Sequence, residues 1–90
     1  MQTKGEIGWT ARDADGNRRE VFAKHVGDRW CFYQRKGRYD NWNSLEQPPL
    51  EDWLELFDAV KRRIQRGKTR PEEEGRIQKV ILQRFPGTKL

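Results

Sequence analysis

Val21-Phe22-Ala23-Lys24-His25-Val26, Gly27-Asp28, Arg29-Trp30-Cys31-Phe32-Tyr33-Gln34 is the stretch that decides the fold. Two runs rich in β-branched and aromatic residues flank a Gly-Asp pair, the signal of a two-residue hairpin loop. With that loop, Val26 faces Arg29, His25 faces Trp30, Ala23 faces Phe32 and Val21 faces Gln34. Cross-strand partners share a face and side chains alternate along a strand. One face therefore carries Val21, Ala23, His25, Trp30 and Phe32. The other carries Phe22, Lys24, Val26, Arg29, Cys31 and Tyr33.

Working outward, Arg35-Lys36-Gly37 is expected to be a second loop, with Gly37 in the left-handed region as a bulge. That register pairs Phe32 with Asp40 and Trp30 with Trp42, and sets Tyr39 beside Tyr33. A two-residue loop Lys36-Gly37 would instead move Trp42 to the face of Cys31, since a one-residue slip reverses every side chain. Upstream, Gly5 to Arg12 reads as a first strand with Ile7 and Trp9 on one face. Asp13-Ala14-Asp15-Gly16-Asn17 is dense in turn formers. It is not a calcium loop, because its glycine stands fourth and its twelfth position is Lys24.

Downstream, Pro48-Pro49 opens a helix over about 49–66, with Leu50, Trp53, Leu54, Leu56, Phe57, Val60 and Ile64 forming its apolar stripe. Acids at its start and bases at its end suit the helix dipole, and Gly67 is a natural stop. Thr69-Arg70-Pro71-Glu72 has the spacing of a capping box for a second helix, about 70–85, striped by Ile77, Val80, Ile81 and Phe85. The expected architecture is α+β: a meander of three to four antiparallel strands over about 5–43, then two antiparallel helices packed on one of its faces. A chain of 90 residues is expected to form one small domain, burying only about 60–65% of its unfolded surface. Hydrophobic residues are only 33% of it, so four Trp, four Phe and two Tyr must supply the core.

Little catalytic chemistry is available. His25 and Cys31 are the only residues of their kinds, and the register sends them to opposite faces, so no nucleophile–base pair forms across the hairpin. One His and one Cys build no thiolate or imidazole metal cluster in a monomer. Gly5-x-x-Gly8 lacks the lysine and helix of a phosphate loop. The chain is thus expected to be non-enzymatic, with no catalytic residue, metal or cofactor. A lone cysteine, no apolar run after residue 5 and no long apolar stretch point to a cytoplasmic protein without signal peptide or membrane span.

The remaining signal is basic residues interleaved with aromatics on a chain of net charge +5. Lys24, Arg29, Tyr33, Arg35, Lys36, Arg38 and Tyr39 gather on or near the hairpin. Aromatic faces stack on unpaired bases while Lys and Arg hold phosphates. A second basic cluster over residues 61–70 includes Arg62, Arg63, Arg66 and Lys68 and suits phosphate contacts at a helix end. The leading expectation is a small basic module binding RNA or single-stranded DNA. The competing one is a protein-interaction or structural module, as a homodimer or with another chain, whose aromatic face is covered by protein and whose bases only solvate the surface.

Overall fold

The computed structural model describes residues 6–27 and 29–90. It is an α+β chain: a four-stranded antiparallel sheet of order β1-β2-β3-β4, followed by two helices. The strands are β1 (Glu6–Arg12), β2 (Arg18–Val26), β3 (Arg29–Arg35) and β4 (Asn43–Leu45), and the helices are α1 (Leu50–Gln65) and α2 (Glu72–Arg84). Two compact units divide the chain, Met1–Pro48 with the sheet and Pro49–Leu90 with the helices.

In the first unit the β2–β3 register follows from the hairpin, with Val26 opposite Arg29, His25 opposite Trp30, Ala23 opposite Phe32 and Val21 opposite Gln34. Gly27 takes a φ of 63°, which a side chain rarely tolerates. Its neighbour in the expected loop, Asp28, lies outside the described residues, as does Gly5 of the expected first strand. The β1–β2 turn is held by the Asp13 carboxylate, which accepts the N–H groups of Asp15 and Asn17. β1 and β2 pair from Glu6–Lys24 to Arg12–Arg18. Ile7, Val21, Ala23 and Phe32 are buried on one face, with Trp9 meeting Phe32 edge-on at 6.0 Å.

The second loop departs from expectation. Gly37 is not in the left-handed region, so no bulge forms. Instead Gly37 opens a turn closed by the Asp40 N–H donating to its carbonyl at 3.0 Å. Pairing resumes only at Asn43, and Phe32 faces Leu45 rather than Asp40. The expected Trp30–Trp42 pair is therefore absent. Tyr39, expected beside Tyr33, stands 93% exposed in the turn. The physical reason is competition: Trp42 gains two ring contacts by folding back over Phe22 and Arg35.

In the second unit α1 buries Asp52, Trp53, Leu56, Phe57 and Val60, and α2 buries Glu73, Ile77 and Ile81. The two helices pack on each other, with the Arg84 guanidinium near the end of α2 lying 5.8 Å from the ring of Trp53 near the start of α1. α1 ends in a Schellman motif: the Gly67 N–H donates to Ile64 and the Lys68 N–H to Arg63, with Gly67 at φ 73°. The expected capping box does not form. The N-cap position is Pro71, not Thr69, and no side-chain bond caps the helix. None of the described residues forms a helix long and apolar enough to cross a membrane.

Candidate nucleic-acid interface

The site begins with one row across the sheet. Gly8 on β1, Phe22 on β2, Tyr33 on β3 and Ser44 on β4 stand opposite one another, so these four positions share a face. The Phe22 and Tyr33 rings stack at 4.8 Å with planes 19° apart. Trp42 meets Phe22 edge-on at 4.7 Å and is itself 41% exposed. The row on one side is Thr10, Glu20 and Arg35, and that on the other is Glu6, Lys24 and Cys31.

Arg35 organises this face. Its guanidinium lies 4.4 Å from the Trp42 ring centre. Its Nε donates to the Glu20 carboxylate, each side chain being about one-quarter exposed. The Glu20 carboxyl is held below its ordinary range first by that hydrogen bond and then by the charges of Arg35, Arg18 and Arg38, while burial opposes the shift. A carboxyl lowered by folding stabilises the native state above its unfolded value, and that contribution is lost as pH falls through the folded value. Acid titration should therefore release Arg35 and change Trp42 fluorescence, with a midpoint below that of an ordinary glutamate. Glu20→Gln should abolish that step; its persistence would assign the transition to another group.

Of the residues expected to bind nucleic acid, Lys24, Arg29, Tyr33 and Arg35 share this face. Lys24 and Arg29 are exposed, and Tyr33 is half-buried in the stack. Lys36, Arg38 and Tyr39 lie exposed in the loop before β4. Arg62, Arg63, Arg66 and Lys68 belong to the helical unit. There Arg62 pairs with Asp58 at 3.3 Å, and the backbones of Arg63, Arg66 and Lys68 form the end of α1.

Gly8, Thr10, Glu20 and Trp42 were not among the expected site residues. Glu20 stands opposite Arg35 because β3 extends through Arg35, which was expected to begin the second loop. Trp42 was reachable only through the alternative loop that sends it to the Cys31 face. The β1–β2 register that brings Gly8 to Phe22 is set by the Asp13–Asn17 turn, whose turn formers the sequence shows.

Glu6, Gly8, Thr10, Glu20, Phe22 and Trp42 line an open cavity of about 540 Å³, together with Trp9, Val21 and Arg35. Among the described residues, no group of three or more His, Cys, Asp or Glu stands where it could hold a metal ion. No protein-family model matches the sequence, and neither characterised proteins nor solved structures give a match.

Proposed function

We propose that this chain is a non-enzymatic module that binds single-stranded nucleic acid, RNA or DNA, on the aromatic face of its sheet. The observation that carries the reading is the Phe22–Tyr33 stack with Trp42 against it, bordered by the exposed cations Lys24 and Arg29. Unpaired bases stack on such rings whatever their sequence, and flanking cations hold the backbone phosphates. Lys36 and Arg38 in the loop before β4 extend the positive border. The basic end of α1 stands outside this reading: it belongs to the helical unit, where Arg62 pairs with Asp58.

The test is titration of a fluorescent single-stranded RNA at two salt concentrations. Replacing Lys24, Arg29 and Lys36 together by Gln removes three phosphate contacts. The slope of log affinity against log salt should become shallower by roughly 2 units, at about 0.7 per phosphate. The same change at Arg62, Arg63 and Arg66 should leave the slope as it was. If the wild-type protein binds no strand at low salt, the reading fails. A dimer in sedimentation that shields Trp42 from a fluorescence quencher would favour a protein partner instead.

A further inference from the structure

We propose that the place over Gly8 is a slot for a single nucleobase and that it selects guanine; this rests on the sheet-face reading above. Neighbouring strands stand about 4.8 Å apart. The Tyr33 and Phe22 rings stack at 4.8 Å, so their stack advances one strand at a time across the row. The next place in that row belongs to Gly8, which is exposed and has no side chain to fill it. The cavity lies there, bounded by the rings of Phe22 and Trp42. It is open to solvent, and its volume of about 540 Å³ leaves ample room for a base.

A base stacked on Phe22 over Gly8 would meet polar groups around its rim, namely Glu6 and Thr10 from β1 and Glu20 from β2. Arg35 is committed to one Glu20 oxygen, Oε2, and to the Trp42 ring. An ionised carboxylate has about four acceptor sites, so Glu20 retains capacity for a second donor group. Guanine alone presents two adjacent donors, N1–H and N2–H, on its Watson–Crick edge, which match a carboxylate in a bidentate pair. Adenine and cytosine place one amino donor beside an acceptor that repels a carboxylate, and uracil sets its single N–H between two acceptors. Glu20 is the reader, and the ring stack is the platform.

The experiment compares all-uridine RNA octanucleotides with versions carrying one central guanosine, inosine, adenosine or cytidine. The guanosine strand should bind about tenfold tighter than the others, the range of a good bidentate base contact. Inosine, lacking the N2 amino group, should lose most of that gain. Gly8→Val fills the slot with a residue that strands favour, and Gly8 does not use a positive φ, so the sheet should tolerate it. This variant should show no guanosine preference, read as the ratio of its own affinities for the guanosine and all-uridine strands. Glu20→Gln should also lose the preference. Equal affinity for all five strands would overturn the slot and leave sheet-face binding standing. A preference that survives Gly8→Val would overturn its placement. Failure to bind every strand would reject the underlying reading, and the slot with it.

Discussion

Phe32→Ala lowers the melting temperature of the sheet by at least about 12 °C, or prevents the sheet from forming. Phe32 is 2% exposed on the central strand β3, opposite Ala23 and Leu45, with the Trp9 ring edge-on at 6.0 Å. Truncating a buried Phe to Ala costs about 3–5 kcal/mol, because apolar transfer energy is lost and a cavity is left. In a domain of this size each kcal/mol moves the midpoint by about 4–8 °C. The loss is also a large fraction of total stability, which is about 5–15 kcal/mol even for ordinary domains. Near-ultraviolet circular dichroism, which reads the packed rings of Trp9, Phe22, Tyr33 and Trp42, would follow the sheet directly. A drop of less than about 4 °C would show that the ring contributes no more than an ordinary surface side chain.

The second large effect is expected in the helical unit. Trp53 on α1 is 4% exposed, in a core with Leu56, Val60, Ile77 and Ile81, each at 1% or less. Trp53→Ala should cost about 3–5 kcal/mol and should be visible as early loss of the far-ultraviolet helical signal. Its neighbour provides the control. Leu54 is 37% exposed, so Leu54→Ala should change stability by no more than about 0.5 kcal/mol. Both changes put the best helix former into the same helix turn. A difference between them therefore reports burial and not propensity. Equal effects would show that the stripe assigned to the core does not form it.

The hairpin was legible from residues 21–34 because two local signals agree there. The Gly-Asp pair signals the loop, borne out by Gly27 at positive φ and Val26 opposite Arg29, and alternation of apolar side chains sets the faces, so a slip would expose Val21, Ala23 and Phe32 together. α1 was equally legible, since its apolar stripe, its opening prolines and Gly67 at its end are all local chemistry. The loop at residues 36–42 was not. Gly37 is compatible with a bulge as well as with an open turn, and the choice rests on contacts that Trp42 makes with Arg35 across the loop and with Phe22 on another strand. The Thr69 box shows that residue spacing alone does not place a cap: the spacing was right, but the N-cap position fell at Pro71, which has no side-chain acceptor.

The candidate site divides along the same line. The sequence alone set Phe22, Tyr33, Lys24 and Arg29 on one face, because alternation within a strand and the β2–β3 hairpin register are local properties; Arg35, expected in the second loop, joins them because β3 runs on to it. The sequence determined also that His25 and Cys31 lie apart, on opposite faces. The pairing of Gly8 with Phe22 is likewise local, following from the turn that Asp13 holds between β1 and β2. The return of Trp42 onto that face under Arg35 is not, since it depends on how a loop settles. It comes from an edge-on ring contact and a cation–π contact, small energies that no local pattern of residues encodes.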